Sequence, residues 1–184
     1  MLKTHRLILR RFTTDDAEDM YRNWASDPEV TKFLTWPCHS SPEATRTLLE
    51  QWDARYEDGG YFNWAIEDGE IKQVIGSIAA VKLNEEIASV EIGYCLSRSC
   101  WGNGIMPEAL VAVMGFLFRE VGIERISACH DMNNAKSGRV MEKAGMLYEG
   151  TLRRASKNNQ GICDIAVRAA LRSEWTIPVC TELA

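Results

Sequence analysis

The stretch Leu96-Ser97-Arg98-Ser99-Cys100-Trp101-Gly102-Asn103-Gly104-Ile105-Met106-Pro107-Glu108 joins a strand-like segment to a helix-like one. A helix start leaves backbone N–H groups without intrahelical acceptors, and the helix dipole adds partial positive charge there. The chemistry such a junction offers is anion binding. Glycine lets backbone approach a phosphate closely, because no Cβ stands in the way. Gly102 and Gly104 supply that freedom, and Arg98 offers a cation. Three rival readings are weighed. Asn103-Gly104 alone signals a hairpin turn, but a long amphipathic segment follows it rather than a strand. A dinucleotide loop, Gly-x-Gly-x-x-Gly, would need its third glycine at Pro107, and the acid twenty residues beyond Gly104, Glu124, opens the next strand instead of ending it. The Walker pattern is absent, since no Gly-Lys-Ser/Thr follows.

A second informative stretch is Asn133-Asn134-Ala135-Lys136-Ser137-Gly138-Arg139-Val140-Met141-Glu142-Lys143-Ala144-Gly145-Met146. Locally it reads as a capped amphipathic helix. Asn134 is the N-cap, Val140, Met141 and Ala144 form the buried face, and Gly145 is the stop. The elements that must hold these two stretches follow from periodicity. Strands are expected over 6–12, 61–67, 74–83, 87–96, 124–130, 147–155 and 162–172. Helices are expected after Thr14-Asp15-Asp16, briefly at Asp27-Pro28-Glu29, after Ser41-Pro42-Glu43, over 107–120 and over 135–144. The first three-strand block joined by short turns is a meander, so antiparallel. This order is that of an α+β domain with a mixed central sheet.

The chain has 184 residues, 46% hydrophobic and 26% charged, which suits one ordinary domain, taken as 1–184 with a core over about 4–175. No apolar run is long enough for a membrane span, and the opening residues lack a signal peptide's apolar core. Six cysteines, at 38, 95, 100, 129, 163 and 180, form no CxxC pair and have no His at ligand spacing. They read as reduced thiols of a cytoplasmic protein, with no metal site, and Cys100 stands out for lying in the glycine loop. A net charge of −5 argues against nucleic acid as partner and is compatible with a cationic one.

Trp101-Gly102-Asn103-Gly104-Ile105-Met106 resembles the R/Q-x-x-G-x-G/A signature of the GNAT superfamily of N-acetyltransferases. The wider pattern is similar to the RimJ/RimL-like branch: Thr4-His5-Arg6-Leu7-Ile8-Leu9-Arg10 at the start, Asp27-Pro28-Glu29-Val30, Tyr94 and Leu96 before the loop, and Pro107-Glu108-Ala109 after it. Asn134, Ser137, Lys143 and Gly145 match the superfamily's second cofactor helix. The resemblance runs from about Thr4 to Trp175. It implies a GNAT fold, a mostly antiparallel sheet of about seven strands flanked by about four helices. It implies acetyl-CoA as co-substrate, its pyrophosphate held by the backbone amides of Trp101, Gly102, Asn103, Gly104, Ile105 and Met106. The backbone of Tyr94, Cys95 and Leu96 would receive the thioester, with Asn134 on the cofactor arm and Ser137 near the sulfur. Trp101 and Met106 depart from the signature, so backbone rather than side chains should carry that binding. Pro107, without an N–H, is left out of the site.

The reaction so implied is attack of an amine on a thioester. An α-amine, with pKa ~8, is only ~10% neutral at pH 7, and lysine at ~10.4 is far less so, so a base is required. Glu91, three residues before Tyr94, is the favoured base, directly or through a water. Ser137 is the expected donor to the leaving thiolate, because Met141 occupies the place where many relatives carry a tyrosine. Trp36 and Trp64 are expected walls of the acceptor pocket. The branch suggests a protein N-terminal amine as acceptor, such as that of a ribosomal protein, and leaves small amines and a homodimer open. A noncatalytic acyl-CoA-binding regulator and a nucleotide-binding module also stay open.

Overall fold

A computed structural model describes residues 1–177. Cys180 lies outside the described residues. The strands are β1 (Leu2–Lys3), β2 (Leu7–Arg10), β3 (Asn63–Asp68), β4 (Val74–Asn84), β5 (Ser89–Leu96), β6 (Arg125–Asp131), β7 (Leu147–Asn158) and β8 (Gly161–Leu171). They form one eight-stranded sheet in the order β1-β2-β3-β4-β5-β6-β8-β7. Neighbours are antiparallel except β5 and β6. The helices are α1 (Ala17–Met20), α2 (Pro28–Thr31), α3 (Pro42–Arg55), α4 (Ile105–Phe116) and α5 (Ala135–Lys143). Wider π turns continue α1 over Tyr21–Ala25 and α4 over Leu117–Val121.

The α+β expectation holds, with eight strands instead of about seven. The extra strand arises because Leu2 and Lys3 fold back onto Leu9 and Ile8. Helix α4 starts at Ile105, two residues before the expected Pro107. Gly104, at φ 75°, turns the chain into the helix, and the N–H that Pro107 lacks would have had no intrahelical partner in the first turn.

Each sheet face buries its own cluster. On one face Leu7, Leu9, Trp64, Ile66, Ile78, Val90 and Ile92 pack against α4. Helix α4 is buried nearly all round, from Ile105 to Gly115 with Pro107 half-exposed. An amphipathic stripe would cover only one side; this helix is enclosed by sheet and α5, so its apolar residues run around it. Fully buried Leu110, Met114 and Leu117 each contribute about 1.5–3 kcal/mol. On the other face Phe12, Met20, Trp24 and Leu49 form a second cluster under α1 and α3. Arg10 ties that layer to the sheet. Its guanidinium donates to both Asp16 oxygens at 2.9 and 2.8 Å and to Glu67 at 2.6 Å.

Candidate active site

The site begins where the sheet opens. Parallel pairing of β5 with β6 covers only Ser89↔Arg125, Val90↔Ile126 and Glu91↔Ser127. Beyond it, β5 stays with β4 to Leu96, and β6 stays with β8 to Asp131. The two strands therefore diverge, and a wedge opens between them. The starts of α4 and α5 face this wedge across a cavity of about 720 Å³.

The glycine loop forms one wall. Gly102 and Gly104 sit at φ 83° and 75°, a left-handed conformation that costs other residues roughly 1–2 kcal/mol. Among the described residues, the amides of Gly102, Asn103, Gly104, Ile105 and Met106 donate to no backbone acceptor. The Trp101 side chain braces the loop. Its indole N–H donates to the Leu96 carbonyl at 2.9 Å, and the Lys136 ammonium lies 4.5 Å from its ring centre. Sequence reasoning gave the Trp101 side chain no task; the structure makes it the link between β5, the loop and α5.

Helix α5 forms the opposite wall. Asn134 caps it, accepting the Ser137 N–H at 3.3 Å. The Tyr94 hydroxyl reaches across the wedge, donates to the Ser137 carbonyl at 3.1 Å and lies 3.0 Å from Ser137 Oγ. Burial pushes the Tyr94 phenol well above its ordinary value, so it stays protonated and acts as a donor. Burial likewise raises the Cys95 thiol to about 11, which keeps it neutral beside Ser77. Lys136, Arg139 and Lys143 line the cavity along one side of α5, joined by Lys32 from the segment after α2. Glu29 is the acid among the lining residues. A protein of net charge −5 thus turns a cationic wall toward this space.

Tyr94, Cys95, Leu96, Trp101, Gly102, Gly104, Ile105, Met106, Asn134 and Ser137 all line the cavity, as does Cys100. Asn103 sits in the same loop with its carbonyl turned to Arg6 at 2.9 Å. Pro107, set aside on sequence grounds, lines the cavity too. Arg98 does not; it pairs with Asp27 at 3.0 Å. Trp64 is corrected from pocket wall to core. It is 7% exposed on the α4 face, stacked on Phe62 and edge-on to Phe116. Trp36 also misses the cavity, packing on the second cluster while its carbonyl accepts from Asn159 at 2.8 Å. Its neighbours Phe33 and Leu34 line the cavity instead. Glu91 is outside the cavity. It points to the sheet face opposite Val90 and Ile92, where Lys82 Nζ lies 3.0 Å from its carboxylate. The α5 cations were missed, although positions 136, 139 and 143 share a helix side at i, i+3 and i+7.

A split mixed sheet, with the start of one helix and a capped second helix facing the split, defines an α+β architecture with its cavity between two diverging strands. The chain belongs to the acetyltransferase (GNAT) domain family, which it matches over residues 6–147, and is an acyltransferase of that family. It is 32% identical over 159 residues to the uncharacterized N-acetyltransferase YoaA of Bacillus subtilis (strain 168), covering 86% of this chain and 89% of that protein. It is 25% identical over 155 residues to the ribosomal protein uS5-alanine N-acetyltransferase of Escherichia coli (strain K12), covering 81% and 79%. A GNAT-family acetyltransferase structure from Bacillus anthracis superposes with a TM-score of 0.82 at 27% identity, covering 94% of this chain and 99% of that one.

Proposed function

We propose that the protein transfers the acetyl group of acetyl-CoA to the N-terminal α-amine of a protein, such as a ribosomal protein, in the cytoplasm. The observation that carries the donor side is the pairing of acceptor-free loop amides with a cationic cavity wall. A pyrophosphate meets the amides of Gly102 to Met106, the Trp101 N–H being taken by the Arg98 carbonyl at 3.2 Å, and the α5 cations meet the remaining phosphate charge. The thioester then lies along the wedge, where the unpaired edge of β5 near Tyr94 to Leu96 offers N–H groups to its carbonyl oxygen.

A wedge through a sheet is open on both faces. With the donor on the α4–α5 face, the amine approaches from the other, the face that carries Glu91. The neutral amine attacks the carbonyl carbon, the new C–N bond forms and the C–S bond breaks. The proton lost from nitrogen goes to Glu91 through water. The thiolate accepts a hydrogen bond from Ser137, whose hydroxyl is steadied by Tyr94, and takes its proton from solvent. A thiolate of pKa ~8.5 leaves without a strong acid, so a hydroxyl donor suffices. The ribosomal acceptor rests on the likeness to the uS5-alanine enzyme. The test is acetyl-CoA turnover on peptides with free N-terminal Ala or Ser, beside polyamines, read by thiol release and product mass. Turnover on peptides supports the reading. Turnover on polyamines alone replaces the acceptor, and CoA binding with no turnover on any amine refutes catalysis.

A further inference from the structure

Two groups outside the cavity act on the glycine loop from behind. Glu108 is a buried carboxylate in the first turn of α4. Its Oε1 accepts from Thr4 Oγ1 at 2.5 Å and from the Arg6 backbone N–H at 3.0 Å. Its Oε2 accepts from Arg6 Nε at 2.7 Å, with Arg6 Nη2 at 2.6 Å. The remaining guanidinium nitrogen, Nη1, donates to the Asn103 carbonyl at 2.9 Å. A guanidinium is planar and rigid, so two nitrogens fixed on a carboxylate determine where the third points.

The Asn103 carbonyl and the Gly104 N–H belong to one trans peptide plane and point to opposite sides. Holding the carbonyl toward Arg6 turns the Gly104 N–H away from Arg6. Gly104 lines the cavity, whereas Arg6 and Asn103 do not. Glycines on both sides of Asn103 leave this peptide free to rotate. Rotated the other way, it would aim a carbonyl dipole at an incoming phosphate.

We infer that Arg6 is a positioning residue for the acetyl donor: held by Glu108, which Thr4 also binds, it locks the Asn103–Gly104 peptide so that the Gly104 N–H faces the pyrophosphate. This rests on the proposed binding of acetyl-CoA at the loop. It gives a task to the chain's opening residues, which lie about a hundred positions from the loop in sequence and touch no part of the cavity.

The test compares wild type, Arg6→Lys and Arg6→Ala by calorimetric CoA binding, by kcat and KM for both substrates, and by Tm. Lysine keeps a charge against Glu108 but lacks the rigid planar fork whose hold on Glu108 fixes the direction of the bond to Asn103. Arg6→Lys should raise the CoA Kd and the acetyl-CoA KM roughly tenfold. Its kcat at saturating donor and its acceptor KM should stay within about twofold. Arg6→Ala should weaken CoA binding at least as much and also lower Tm. Arg6→Lys binding CoA as tightly as wild type overturns the inference, as does a lowered kcat at unchanged donor KM. Wild type failing to bind CoA at all defeats the reading of the loop itself. Should Arg6→Lys not fold, Thr4→Val removes one bond to Glu108 and leaves Arg6 in place. A donor-specific rise of about two- to fivefold is then expected, and no rise overturns the inference.

Discussion

Replacing Tyr94 by Phe removes one oxygen and nothing else, so its consequences can be worked from two hydrogen bonds. The hydroxyl donates to the Ser137 carbonyl and lies against Ser137 Oγ. A hydrogen bond of this kind is worth about 1 kcal/mol net, which sets the expected loss of stability. Catalysis should suffer through Ser137. Without the phenol, its hydroxyl is free among three staggered wells, of which one serves the leaving sulfur. That alone lowers kcat about threefold. Donor KM should stay within about twofold, because the pyrophosphate grip is untouched. Ser137→Ala alone should cost at least tenfold in kcat, since it deletes the donor. In that background Tyr94→Phe should cost less than twofold more, a non-additivity measured by a double-mutant cycle on thiol release. Two independent, multiplying effects would refute the argument that Tyr94 works through Ser137. The variant also has a signature in pH. Burial raises the folded-state phenol pKa above its unfolded value of about 10. The folded protein therefore holds that proton more tightly. Its contribution is complete below pH ~10 and is lost as pH rises through the folded pKa. Tyr94→Phe should remove that alkaline loss and leave acid stability unchanged.

Glu91→Gln should lower kcat and abolish the acidic limb of the pH–rate profile; a variant with both intact shows that Glu91 is not the base. Its pair with exposed Lys82 is worth at most about 1 kcal/mol, so Tm should hardly move. Lys136→Gln, Arg139→Gln and Lys143→Gln should each weaken CoA binding. Unit charges ~6 Å apart at an effective dielectric of ~40 attract by ~1.4 kcal/mol, about tenfold in Kd. The loss should shrink at high salt. Affinity that is unchanged at low salt in all three would show that the cations do not meet the phosphates.

Local signals made the two cavity walls legible. Glycines before a helix start, and Asn134 three residues before Ser137, are contiguous patterns whose meaning does not depend on distant chain. Strand alternation likewise located β4, β5 and β8 to within a residue or two. What could not be read was which face of the sheet a residue takes relative to the wedge. Trp64 and Trp36 are both aromatic, yet Trp64, in β3, is sealed under α4, and Trp36, in the segment between α2 and α3, lies on the opposite layer. For Trp64 strand register decides this, and a one-residue slip would exchange the faces.

The same limit explains why Arg98 was misread and Arg6 overlooked. Arg98 is close to the loop in sequence, and proximity suggested a phosphate ligand. In the fold Asp27 claims it at 3.0 Å, which joins the glycine loop to the segment that carries Phe33 and Leu34. The far end of that segment is held by Asn159, whose side chain donates to the Thr31 and Trp36 carbonyls at 2.8 Å each. Arg6 is remote in sequence, yet it grips the loop's backbone. Thr4 and Arg6 converge on the Glu108 carboxylate, and Arg10 joins Asp16 to Glu67. The arginines of the opening Thr-x-Arg-Leu-x-Leu-Arg stretch are thus spent on two anchors. One holds the glycine loop through the Asn103 carbonyl, and the other holds the first helix over the opposite face. Arg6 lies just before β2, outside its alternation, and reaches Glu108 on the α4 side, whereas Arg10 ends the strand and reaches Asp16 and Glu67, while Leu7 and Leu9 stay in the core.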